Sequence, residues 1–194
     1  MHMSQATEIF VIIVMCVILL MYVFGIQDVG EVEYKVSSID GRRYLVQKKP
    51  DSQEAADYLA DVNRDLVHLI QHLVAKHPGD ETCLRLFRAF DPSAVSEGSP
   101  NSGFTSFSIN KGEKVILCIR QKEDDSFVDK NVLLYVAVHE LSHLATAELG
   151  HEPVFWNNFR FLLAEAISIG IYKKVDFDND PEDYCGIQIS SSVV

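Results

Sequence analysis

Residues 132–150 read VLLYVAVHELSHLATAELG, and the fold turns on what so apolar a segment does with its polar residues. The run is hydrophobic nearly all round, which predicts a buried helix over about 129–149. Asp129 stands ready as its N-cap, and Gly150 is placed to end it in the left-handed conformation. Yet His139, Glu140 and His143 sit in its middle. Leaving such groups buried and unpaired costs roughly 2 to 7 kcal/mol each, so two imidazoles and a carboxylate call for something that satisfies all three. A zinc ion does this. Positions i and i+4 lie on one helix face about 5 to 6 Å apart, so both imidazoles reach one tetrahedral metal. Glu140, next to the first ligand, can act at the metal's open position as a general base without binding the metal itself.

Three protein ligands and a water make a catalytic zinc site. His151 follows just after Gly150, where the chain can turn back, and is the expected third ligand. Glu148 and Glu165 are its rivals, the latter on a helix that starts at Pro153 and runs to about Ile169.

Upstream, Phe104–Asn110 and Lys114–Arg120 read as two strands joined by Asn110-Lys111-Gly112. Asp91–Gly103, rich in Pro, Ser, Gly and Asn, reads as a loop, and Cys83–Phe90 as a short helix or strand. A capping box, Asp51-x-x-Glu54, opens a helix reaching about Lys76, with Leu59, Val62, Leu66, Leu69 and Leu73 as its buried stripe. His68 and His72 lie off that stripe and read as surface residues. The tail from residue 176 is acidic, and Tyr172 and Tyr184 are candidate oxyanion donors as phenols downstream of the motif.

Residues 9–26, IFVIIVMCVILLMYVFGI, carry no charge over 18 positions and read as a transmembrane helix. No Lys or Arg precedes them and no small-x-small cleavage site follows, which argues against a secretory signal. Lys35, Arg42 and Arg43 follow within the next 20 residues or so, which places the folded domain on the cytoplasmic side. The net charge of −11 repels phosphate backbones and makes nucleic acid an unlikely partner. Of the four cysteines, Cys16 falls in the apolar run, while Cys83, Cys118 and Cys185 are an odd, widely spaced set that does not read as a disulfide framework.

The stretch HELSHLATAELGHEPVFWNNFRFLLAEA, residues 139–166, resembles the WLM and SprT-like zinc metallopeptidases, and is similar to WLM-type proteins of large DNA viruses. The resemblance implies zinc held by His139, His143 and His151, Glu140 as the catalytic glutamate, and Phe155 and Trp156 as an aromatic pair beneath the site. One departure is that seven residues separate His143 from His151, a longer loop than the family pattern.

The resulting expectation is an α+β, minimal zincin-like fold, a small antiparallel sheet packed on the HExxH helix and preceded by one transmembrane helix. Its parts are a short tail (1–8), an anchor (9–26), a juxtamembrane connector with some strand character (27–50), the metallopeptidase domain (51–175) and the acidic tail (176–194). The expected function is membrane-anchored, zinc-dependent hydrolysis of a protein or peptide substrate by zinc-activated water with Glu140 as base. The alternative is an inactive membrane-tethered interaction module that keeps the fold.

Overall fold

The computed structural model describes residues 13–16, 31–100, 102–103 and 105–194. Strands β1 (Val32–Val36) and β2 (Arg43–Gln47) form an antiparallel hairpin, with Val32 opposite Gln47 and Val36 opposite Arg43. The region read as a connector thus contributes Tyr44 and Val46 to the core. Helix α1 (Ser52–Lys76) buries Leu59, Val62, Leu66, Leu69 and Leu73, the stripe that its spacing predicts. Its capping box does not form: Asp51 makes no side-chain cap bond, because its carboxylate accepts from Arg120 Nη1 at 2.6 Å and Nη2 at 2.8 Å. Helix α2 (Glu81–Ala89) is capped by Asp80, which accepts from the Cys83 amide.

The region read as a loop holds a 3₁₀ turn (Pro92–Ala94) and strand β3 (Val95–Glu97). Strands β4 (Phe107–Ile109) and β5 (Lys114–Leu117) make the expected hairpin, but β3 pairs parallel to β5, so the sheet, ordered β3-β5-β4, is mixed and not antiparallel. A three-residue parallel strand is too short to show alternation in the sequence. Asn110 and Lys111 turn the hairpin with φ of 46° and 57°, and at Gly112 a Cβ would lie 2.3 Å from the Ala89 carbonyl oxygen, so no larger residue fits.

Helix α3 (Lys130–Ala145) starts on Asp129, whose carboxylate accepts from the Asn131 and Val132 amides. It stops at Ala145, short of the expected Leu149, and Gly150, with φ of 80°, lies in the loop beyond. The early end has a partner: the Lys111 ammonium donates to the carbonyls of His143, Thr146 and Glu148 at 3.2, 2.8 and 2.7 Å. The first two belong to the end of the helix, which leaves such acceptors open, and the third to the loop that follows. Helix α4 (Pro153–Ser168) packs on α3.

The acidic tail is not a loose end. It carries the hairpin β6 (Glu182–Tyr184) and β7 (Ile187–Ile189) and buries Phe177, Tyr184 and Cys185 completely. Cys185 is disulfide-bonded to Cys118 across 67 positions, which corrects the expectation of no disulfide. Only the folded chain brings these two together.

The single-pass membrane expectation is also corrected. Among the described residues no helix is long and apolar enough to cross a membrane. The longest, α1, has 25 residues but carries charges along its length, and of the apolar run 9–26 only one helical turn, 13–16, is among the described residues.

Candidate metal centre

His139 and His143 stand one turn apart on α3, with ring centroids 5.0 Å apart. His151 comes from the loop between α3 and α4 and brings its Nε2 to 3.1 Å from that of His139. One ring nitrogen of each lies within 4.8 Å of the others, and this trio is the group among the described residues that could hold a metal ion. The fully buried Phe155 packs against all three, its centroid 4.9 Å from His139, 4.4 Å from His143 and 4.6 Å from His151, while the half-exposed Trp156 ring lies 5.5 Å from His151.

The chemistry of this donor set fits a metal. Burial first, and then the neighbouring imidazoles, push His139 down to about 3, while burial, His151 and Lys111 bring His143 to about 4. Both rings are therefore neutral at physiological pH, with lone pairs free to coordinate. Three nitrogens this close cannot all be protonated without strong repulsion, and a cation between them removes the conflict.

Glu140, 5% exposed, has its carboxyl pushed up to about 7 by burial, against the side chain and backbone of Ser108, which pull it down. Ser108 is on β4, the edge of the three-stranded sheet, and with Ser106 and Phe107 it lines a 400 Å³ cleft that His139, Glu140, His143 and His151 also line. The sequence gives no sign of Ser108 as a partner, because a serine in a strand has no local spacing rule to reveal it.

The rival ligands lie elsewhere. Glu165 accepts from His72 Nε2 at 2.8 Å, His77 Nε2 at 2.9 Å and Lys76 Nζ at 2.8 Å. Burial alone would raise its pKa, but those three donors pull it down to about 2. His72, read as a free surface residue, is thus tied to α4. Glu148 is exposed and outside the imidazole trio. Tyr184 lines a second cavity beside Glu140, but its hydroxyl donates to the Cys118 carbonyl at 2.9 Å and is 2.5 Å from Ser106 Oγ. Tyr172 is buried against Tyr135 and lines neither cavity.

An uncharacterized protein of Acanthamoeba polyphaga mimivirus is 29% identical over 99% of this chain and 100% of its own length. One from Invertebrate iridescent virus 6 is 42% identical over 40% of this chain and 44% of its own. The crystal structure of Wss1 from Saccharomyces cerevisiae has a TM-score of 0.48 and 19% identity, covering 64% of this chain and 85% of that one. A family model, the WLM domain, matches residues 38–186, well over half of the sequence. The chain therefore belongs to the WLM domain family, a membership that supports a function of metallopeptidase type.

Proposed function

We propose that this protein is a zinc-dependent metallopeptidase in which His139, His143 and His151 hold the metal and Glu140 is the general base. The observation that carries the reading is the convergence of three imidazole nitrogens within 4.8 Å beside a buried carboxyl group. Zinc, when bound to such a set, supplies Lewis acidity toward a carbonyl and lowers the pKa of a water to about 7.

The chain's own groups supply the rest. Strand β4 stands at one end of the three-stranded sheet, and an extended peptide lying along it would be held through backbone hydrogen bonds. That lays the peptide over the cleft at Ser106 to Ser108, with its scissile bond above Glu140. Glu140 takes a proton from the attacking water as its oxygen bonds to the carbonyl carbon, then delivers that proton to the departing amine as the C–N bond breaks. Ser108, beside Glu140 in the cleft, favours its charged form against the burial that opposes it. Phe155 beneath the histidines keeps water from their inner side.

The test is cleavage of an unfolded protein by the zinc-loaded chain. Wild type should cut it and Glu140→Gln should not. Equal cleavage by both would refute the role of Glu140, and none by either would leave an inactive protein with the family's fold.

A further inference from the structure

A second cavity, of 190 Å³, shares Ser106, His139 and Glu140 with the histidine-lined cleft. Its other walls are Thr105, then Tyr135 and Val136, which precede His139 by about one turn of α3, and Tyr184, Ile187 and Ile189 of the C-terminal hairpin. Both tyrosine hydroxyls have partners, Tyr135 the Ser191 carbonyl at 2.9 Å and Tyr184 the Cys118 carbonyl at 2.9 Å and Ser106 Oγ at 2.5 Å. The rings then line the space with three aliphatic side chains, and no Lys, Arg or Asp is among its lining residues.

The hairpin wall is fixed in place. Cys185 is disulfide-bonded to Cys118 and takes the Gln121 amide oxygen on its backbone N–H at 2.9 Å, and Gln121 donates in turn to the Asp183 carbonyl at 2.9 Å. A wall held at several points keeps one shape, and that makes a cavity selective. Pockets for drug-sized ligands run to roughly 300–1,000 Å³, so this space has room for one side chain and not for a whole cofactor.

We propose that this cavity is the subsite that receives a single apolar side chain of the substrate, from the residue next to the scissile bond. The assignment rests on the peptidase reading and adds the substrate class to it: peptides with an aliphatic or phenyl side chain beside the cut. A peptide paired with β4 over Ser106 passes the cavity mouth, and a carboxylate entering there would lose water and gain no countercharge.

Two readouts on the full chain separate the subsite from the hydrolysis. In methyl NMR of the protein without added metal, N-acetyl-leucinamide should shift Val136, Ile187 and Ile189 saturably, and N-acetyl-aspartamide should not. Shifts that are absent, map elsewhere or are equal for both amides would overturn the subsite. With zinc, a peptide library should show at least about a 10-fold preference for apolar over acidic residues at one position beside the cut. Ile187→Lys, at a site half exposed and outside the catalytic groups, should abolish that preference and admit acidic residues. Cleavage without apolar preference, or a preference that Ile187→Lys leaves unchanged, would equally overturn it. Leucinamide binding with no peptide cut would support the subsite and refute the hydrolysis.

Discussion

Ser108, on the edge strand β4, lines the same cleft as Glu140 on helix α3, and its side chain and backbone draw the Glu140 carboxyl down against the burial that raises it. A hydroxyl that favours a charged carboxylate contributes about 1.5–3 kcal/mol, and Ser108→Ala removes that hydroxyl alone. For Ser108→Ala we expect kcat to fall roughly 10- to 100-fold, with KM and bound zinc little changed. Steady-state kinetics with metal analysis would check this, and an equal loss of zinc and activity would contradict it.

Arg120, 3% exposed, donates to Glu97 through Nε at 2.8 Å and binds both carboxylate oxygens of Asp51. It joins the start of α1 to the sheet, and Glu97 is itself buried. Removing one partner of a buried pair leaves an uncompensated charge, so Arg120→Met should cost about 3–5 kcal/mol in urea unfolding. The double change with Glu97→Gln should recover part of that loss.

Glu165 gives a pH signature. Its folded pKa of about 2 lies below the ordinary carboxylate value, so its contribution is fully present above roughly pH 4.5 and declines as pH falls toward 2. The stability gap between wild type and Glu165→Gln should therefore narrow steadily as pH falls from about 4.5 toward 2. Thermal unfolding at stepped pH reads it directly, and a gap that widens over that window would reverse the assignment.

The Cys118–Cys185 bridge closes a loop across 67 positions, so replacing both cysteines with serine should cost about 2–4 kcal/mol of stability, with the larger effect expected for long loops. Unfolding of the oxidised wild type against the double variant measures it. Because the bridge lies outside the imidazole trio, zinc content should not change.

What the sequence discloses here is what is local. The i, i+4 spacing of His139 and His143, the Asp129 cap and the leucine stripe of α1 each depend on one helix's periodicity, and each has its counterpart in the structure. The partners that shape the site come from elsewhere in the chain: Ser108 for Glu140, Lys111 for the end of α3, Cys118 for Cys185, and His72, Lys76 and His77 for Glu165. Asp51 shows why local signals mislead. Its capping-box spacing is correct, but a buried guanidinium bound through two contacts is a stronger claim on its carboxylate than backbone amides that water can satisfy. The strand character of 27–50 has its counterpart in β1, whose VEYKV alternates, whereas β6 and β7 are three residues each and too short to show a period.

The most direct measurement is the zinc content of the purified full-length chain, beside His139→Ala, His151→Ala and Glu140→Gln. We expect about one zinc per molecule in wild type and in Glu140→Gln, and a large loss in both histidine variants, since three protein ligands define the site. A folded wild type that binds no zinc, or a His151→Ala variant that keeps it fully, would contradict the three-histidine centre.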